Sequence, residues 1–195
     1  MTNYKEKIRQ EFDSIAENYV NKAYIEGLTL QSVDEFLNYL PGKGKVLDIG
    51  CGGGQDSQAF INNGYKAVGI DMSPRMLKLA REFSHKTKFI QGDFLEVGFD
   101  DEEFVAVWCM RMFLLVPFSK EKEFLNKINK VLKPGGHLFI STKAGPSDTE
   151  GIDERGVFRK ELMQDTFEML LKYAGFEILE LKRNGSWMQA ICEKK

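Results

Sequence analysis

The apolar positions of this chain recur with two periods, and the switches between them outline its architecture. Ile8, Phe12, Ile15 and Tyr19 return every three or four residues, which predicts an amphipathic helix over roughly residues 4–20. Leu28, Leu30, Val33, Phe36, Leu37 and Leu40 predict a second helix around 28–40, ended by Pro41-Gly42. Strand-like runs follow near 45–49, 66–70, 87–91, 104–110 and 136–142, with helical spacing between most of them. Ser73-Pro74 reads as an N-cap with proline at the first helical position, opening a helix to about Phe83. Another helix begins near Lys120, and Lys133-Pro134-Gly135-Gly136 stops it and turns the chain into the fifth strand. Residues 144–157 are polar and Gly-rich, so a loop is expected there, followed by a helix over about 160–174 that Gly175 caps. Phe176–Leu181 and Ser186–Glu193 predict two strands joined at the turn Arg183-Asn184-Gly185. Alternation of strand and helix argues for parallel βαβ units, here with an antiparallel pair at the end. With no repeat or linker in 195 residues, the expectation is one domain over 1–195, two helices in 1–40 preceding a core in 41–195.

Composition narrows the partners. Acidic residues number 29 and basic ones 27, so no strong field draws nucleic acid or an anionic membrane. The 43% apolar and 29% charged content is that of a soluble globular chain. No apolar window reaches the length of a membrane span, and Met1-Thr2-Asn3-Tyr4-Lys5-Glu6 lacks the apolar core of a signal peptide, so a cytoplasmic location is expected. Cys51, Cys109 and Cys192 are odd in number and far apart, without a Cys-x-x-Cys pair. Reduced, buried thiols are expected rather than a disulfide framework, and no metal site is expected.

The chemistry concentrates in Val46-Leu47-Asp48-Ile49-Gly50-Cys51-Gly52-Gly53-Gly54. An apolar run ends in an acid and enters a turn built of glycines, which lets a ligand approach the backbone closely. The helix predicted to start near Asp56 offers free N–H groups and a positive dipole end to such a ligand. Asp71 closes the next apolar run, about twenty residues after the turn, where an acid can accept from a ribose diol. Asp93 closes a third run and can accept from an exocyclic amine. Both also fit plainer roles, Asp71 as a helix cap and Asp93 as a turn residue. The dinucleotide pattern Gly-x-Gly-x-x-Gly requires glycine at position 55, where this chain has Gln55. Asp48 is also a poor neighbour for a pyrophosphate and a good one for an ammonium group. S-adenosylmethionine combines an amino-acid end, a ribose and an adenine.

Val46–Gly54, Val68–Ser73, Gln91–Phe94, Phe104–Pro117 and Leu132–Ser141 occur in an order and spacing that resemble a class I S-adenosylmethionine-dependent methyltransferase of the small-metabolite type. The resemblance implies a Rossmann-like, doubly wound α/β fold with helices on both faces, its seven-stranded sheet mostly parallel with an antiparallel C-terminal strand. It implies that Gly50, Gly52 and Gly54 shape the loop under the methionine, that Asp48 holds its ammonium, and that Asp71 takes the ribose hydroxyls. Met72 would cover the adenine, Asp93 and Phe94 would meet its amino edge, and Trp108 and Cys109 would lie beside the methionine. Cys51 belongs to the same loop and is equally well read as a small buried filler. Tyr19 and Tyr24, near the end of the N-terminal helix, would cover the cofactor as a lid, unless Tyr19 only completes that helix's apolar stripe. Arg111, Met112 and Phe113 would line the acceptor's floor, with Lys143, Arg155 and Arg159 as a further basic set; charged loops are also often merely solvated. Related chains often carry a histidine before Val-Pro; here Leu115 precedes Val116-Pro117, and neither His85 nor His137 sits where a base is needed. No catalytic residue is therefore assigned, and methyl transfer to a small molecule by alignment is the expectation. A non-catalytic S-adenosylmethionine-binding protein and a nicotinamide-dependent oxidoreductase are the competing readings. An acceptor among nucleic-acid bases is disfavoured by Trp108-Cys109-Met110-Arg111, which lacks the Asn/Asp-Pro-Pro-aromatic sequence of amino-methylating enzymes.

Overall fold

The computed structural model describes residues 4–26, 30–40 and 42–195, the side chains of 23–26 and 30 excepted. The expectations placed on Leu28 and Pro41, and on the side chains of Tyr24 and Leu30, thus lie outside what is described. The chain runs α1 (Tyr4–Glu26), α2 (Leu30–Leu37), β1 (Lys45–Ile49), α3 (Gln55–Asn62), β2 (Lys66–Asp71), α4 (Pro74–Phe83), β3 (Lys88–Gln91) and β4 (Phe104–Cys109). It continues through α5 (Glu121–Val131), β5 (Leu132–Lys143), β6 (Thr149–Ile152), β7 (Phe158–Glu161), α6 (Gln164–Tyr173), β8 (Phe176–Asn184) and β9 (Trp187–Lys194). Seven strands form one sheet in the order β3-β2-β1-β4-β5-β9-β8. The pairs β1–β2, β2–β3 and β4–β5 are parallel, whereas β9 runs antiparallel to both β5 and β8. Strand order reverses after β1, and the carboxyl ends of strands at such a point are where α/β sheets bind ligands.

Two compact units, Met1–Gly98 and Phe99–Lys195, hold the contacts. In the first, Val46, Leu47, Asp48 and Ile49 are all buried, a continuous run of the kind a strand covered on both faces requires. The apolar stripe of α4 buries Met76, Leu77 and Ala80, and Ser73 caps its start by accepting the Met76 N–H at 3.0 Å. The same hydroxyl donates to Asp13 Oδ1 at 2.6 Å, which joins α1 to the cap. Ser73→Ala is accordingly expected to lower stability by about 1–2 kcal/mol, the usual loss for a helix cap, with urea unfolding as the measurement.

Helix α1 is longer than its predicted stripe, extending to Glu26. Ala16 and Val20 pack with Met76, flanked by Phe12 and Leu79. Charges fix the helix on either side of this small patch: Lys5 with Asp93 and Glu96, and Glu17 with Arg75, while Arg9 pairs with Asp13 within the helix itself.

In the second unit Trp108 stacks on Phe139, with ring centroids 4.0 Å apart. Phe113, in a short 3-10 turn (Phe113–Leu115), packs against Phe124 at 5.7 Å and Phe167 at 6.2 Å. The strand β5 starts at Leu132, so Pro134-Gly135-Gly136 lies within it rather than before it. A second departure is larger. The segment expected to be loop, and the start of the helix expected from about 160, instead hold the hairpin β6–β7, a separate two-stranded sheet. Asp153 builds its turn by accepting N–H bonds from Arg155 at 3.0 Å and Val157 at 2.9 Å. The strand β7 alternates as a half-buried strand should, but one of its two buried positions is Lys160, which hid the pattern.

Candidate active site

Gly50, Gly52 and Gly54 adopt φ values of 74°, 49° and 80°, so the turn after β1 is left-handed at alternate residues. The Gly50 and Cys51 N–H groups both donate to the Ile70 carbonyl, at 2.8 and 3.1 Å, which ties the turn to the end of β2. Asp71 completes the tie. Its carboxylate accepts the Gly52 N–H at 3.0 Å and the Ser73 N–H at 2.8 Å, bridging the glycine turn and the cap of α4. Burial pushes this carboxyl's pKa upward, against the pull of those N–H groups. Asp48 is buried, and the Ser57 hydroxyl of α3 donates to it at 2.6 Å. Burial first, and the neighbouring Asp56 and Asp71 next, raise its pKa well above the carboxylate range. The thiol of Cys51 is buried and fills space beside Gly69, where a β-carbon would stand 2.8 Å from its Sγ.

Gly53 has a different reason for being glycine: a β-carbon there would lie 2.5 Å from Val20 Cγ2, so α1 rests directly on the turn. Gln55 adds a bond from its side chain to the Val20 carbonyl at 3.4 Å. Asp93 accepts the Leu95 N–H at 2.9 Å and meets Lys5 Nζ at 2.5 Å, so it is at once a turn residue and an ion-pair partner. Lys5 is held protonated: burial alone would lower its pKa, but the hydrogen bonds to Asp93 and Glu96 raise it. Met72 is half-buried, and the Phe94 ring is buried. Tyr19 is exposed, edge-on to Phe12.

In the second unit Trp108 and Cys109 are fully buried at the end of β4. The chain then turns at Arg111, whose φ of 53° is left-handed although it is not glycine. Its N–H donates to Ser141 Oγ at 2.7 Å, and its guanidinium lies 4.8 Å from the centre of the Trp187 ring. Lys143 Nζ lies 5.6 Å from the same ring. Met112 is half-buried. Phe113 does not line an accessible floor; its side chain is core, because the 3-10 turn directs it onto Phe124 and Phe167. Arg155 and Arg159 are not free cations either, since both pair with Asp153, at 3.2 and 3.8 Å. His85 is exposed, whereas His137 is buried with Nδ1 unpartnered among the described residues and its pKa lowered by burial.

One charged group escaped the sequence reading. Lys160 is fully buried, bonded to Glu121 at 2.5 Å, with its ammonium 3.6 Å from the Phe113 ring centre. Burial lowers its pKa to about 8 and raises that of Glu121, in each case against the pull of the partner. A lysine on a polar hairpin gives no local sign that it is buried. Among the described residues no group of His, Cys, Asp and Glu is placed to hold a metal, and no helix is long and apolar enough to cross a membrane.

Comparison with known proteins agrees with this architecture. Residues 47–140 match the family described as methyltransferase domain. The ubiquinone biosynthesis O-methyltransferase of Aliivibrio fischeri is 37% identical over 123 residues, covering 60% of this chain and 51% of its own. The chain thus spans about half the length of such curated relatives. Among solved structures, Burkholderia thailandensis 1,6-didemethyltoxoflavin-N1-methyltransferase, with 1,6-didemethyltoxoflavin and S-adenosylhomocysteine bound, superposes with a TM-score of 0.84 at 18% identity, covering 98% of this chain and 89% of that one. The [4+2]-cyclase SpnF shares the fold at a TM-score of 0.68 and 20% identity, over 84% of this chain and 80% of its own. Residues 47–140 of this chain thus match the methyltransferase-domain family, and its seven-stranded sheet shares the fold of these solved structures.

Proposed function

We propose that the protein transfers the methyl group of S-adenosylmethionine to a small-molecule acceptor by in-line displacement. The observation that carries this reading is the Asp71 bridge, one carboxylate fixing both the glycine turn and the cap of α4, with the buried Asp48 on the preceding strand. The cradle fits an adenosine ligand with an amino-acid end: left-handed glycines leave the backbone bare, and the acids suit hydroxyls and an ammonium rather than a pyrophosphate.

The cofactor supplies a carbon already activated by its positive sulfur. The chain's own part is to hold and orient. Asp48 and Ser57 receive the ammonium end, and Gly50, Cys51, Gly52 and Gly54 shape the loop beneath it. Asp71 keeps lone pairs for the ribose hydroxyls besides those its two N–H donors use. Met72 and Phe94 flank the adenine, and Asp93 takes its amino group in exchange for Lys5. The helix α1, with Tyr19, covers the turn. On the acceptor side Arg111, Met112 and Lys143 remain as candidates. No histidine is placed as a base, so catalysis rests on alignment and exclusion of water. Near-neutral charge favours a small molecule over nucleic acid, and three buried cysteines outside any disulfide fit the cytoplasm.

Calorimetry is expected to detect binding of S-adenosylhomocysteine and none of NAD. Tight NAD binding without S-adenosylhomocysteine binding would overturn the reading. Asp71→Ala is expected to lose about 1.5–3 kcal/mol of cofactor affinity, the worth of a hydrogen bond to a charged acceptor. Asp71 accepts best when ionised, and its pKa is raised, so affinity should fall as the pH drops through that raised value and hold above it. Because the same fold also carries a cyclase, turnover must be followed as methylated product over thiols, amines, phenols, carboxylates and oxyanions.

A further inference from the structure

We infer that Arg111, Lys143 and Trp187 form an oxyanion site, and that the methyl acceptor carries a carboxylate or phosphate bound there; this deepens, and rests on, the methyltransferase reading. Every element of the site belongs to the second unit. Ser141 and Lys143 sit two residues apart on β5 and so share one face, and Trp187 is the direct cross-strand partner of Lys143 on β9. Arg111 enters from the end of β4, anchored by its N–H bond to Ser141 Oγ. These are the carboxyl ends of two neighbouring parallel strands, the edge at which α/β sheets bind ligands.

Three observations point to an anion rather than to packing. First, two cations share one indole, with the guanidinium 4.8 Å and the ammonium 5.6 Å from its centre. One cation would satisfy the ring; a second adds repulsion that an anion relieves. Second, both side chains are half-buried, and among the described residues neither has a carboxylate partner, whereas Arg155, Arg159 and Lys160 each have one. Third, Arg111 holds a left-handed backbone at φ 53°, a conformation that side-chain-bearing residues rarely adopt. Such outliers persist where the surroundings over-determine them, and they gather at ligand sites. Here the turn aims a planar, always charged fork, suited to two oxygens of one anion, over the ring.

The test titrates the full chain, labelled with nitrogen-15 in its tryptophans, with benzoate, inorganic phosphate and, as the neutral counterpart, benzamide. The indole signal of Trp187, assigned through Trp187→Phe, should shift saturably with benzoate or phosphate and not with benzamide. The anion that binds more tightly identifies the acceptor's acidic group. Arg111→Asn, which tolerates the left-handed backbone, and Lys143→Gln should each weaken anion binding about tenfold or more, as loss of a charge-assisted contact does. The Trp108 signal should stay in place in both variants, reporting an intact core. A benzamide shift equal to that of benzoate, or unchanged affinity in both variants, would overturn the site. S-adenosylhomocysteine binding by calorimetry on the same samples separates the two readings: cofactor binding without anion binding sinks only the oxyanion site. Anion binding without cofactor binding sinks the methyltransferase reading, and with it the anion's role as an acceptor group.

Discussion

Glu121→Ala is expected to lower folding stability by about 3–5 kcal/mol, the range for removing one partner of a buried ion pair. The cause is the cation left behind. Lys160 has no exposed side-chain surface and is ringed by Phe113 and Phe118, so its ammonium, once Glu121 is gone, keeps no water and only the weaker pull of Glu150, which is not bonded to it. The effect carries a pH signature with a definite sign. Lys160 has a folded pKa of about 8 against an ordinary 10.5, so between those values the unfolded chain keeps a proton that the folded one sheds. Its contribution to stability therefore rises with pH across that window. Without Glu121 the proton leaves still more readily, and the deficit of Glu121→Ala relative to the unaltered protein should narrow between neutral pH and about pH 10. Urea unfolding at both values measures this. Glu121→Leu combined with Lys160→Met should recover most of the loss, because a well-packed apolar pair is often as stable as the ion pair it replaces. A cost below about 1 kcal/mol for Glu121→Ala, the level of an exposed pair, would contradict the burial argument.

Gly54→Ala has the next largest expected effect. At φ 80° a side chain strains the backbone by about 1–3 kcal/mol. Its β-carbon would also stand 2.8 Å from Phe89 Cζ and 3.1 Å from Ala80 Cβ. That crowding adds about 1–3 kcal/mol. Ala80 cannot step aside, because its Cα lies only 3.4 Å away on α4, and the Phe89 ring would have to swing off the turn to make room. Gly53→Ala is the informative contrast. The intruding carbon there meets side chains only, Val20 and Gln55, and the Gly53 backbone is not left-handed. The double substitution Gly53→Ala with Val20→Ala should therefore regain stability, whereas Val20→Ala should not help Gly54→Ala. Thermal unfolding of the four variants reads the difference.

The glycine turn and the acids at 48, 71 and 93 were legible in the sequence because their signals are local. A β-branched run, an acid and a glycine carry their meaning within a few residues, and the intervals between strands follow from βαβ geometry. The C-terminal antiparallel pair was legible for the same reason, through Asn184-Gly185. What stayed hidden depends on distant partners. Phe113 is equally apolar whether it floors a pocket or fills a core, and only Phe124 and Phe167 decide. Lys160 reads as a solvated charge until Glu121 is seen beneath it, and that misreading concealed β7. Trp187 gave no sign at all. Its importance comes from the register that sets it opposite Lys143, and register is not written in either strand alone. Arg155 and Arg159 show the reverse error: their charge suggested a ligand, and Asp153 already supplies one.

The attachment of α1 has a further consequence. Its apolar patch is small, and beside the hydrogen bonds from Ser73 to Asp13 and from Gln55 to Val20 the ties are ion pairs, from Lys5 to Asp93 and from Glu17 to Arg75. Bonds of that kind are screened by salt, while the buried strands beside them are indifferent to it. The free energy of lifting this helix off Gly53 thus has a part set by the ionic medium, and the free energy of unfolding the buried strands does not. The two openings are decoupled, and the glycine turn can be uncovered and covered again while β1 and β2 never come apart.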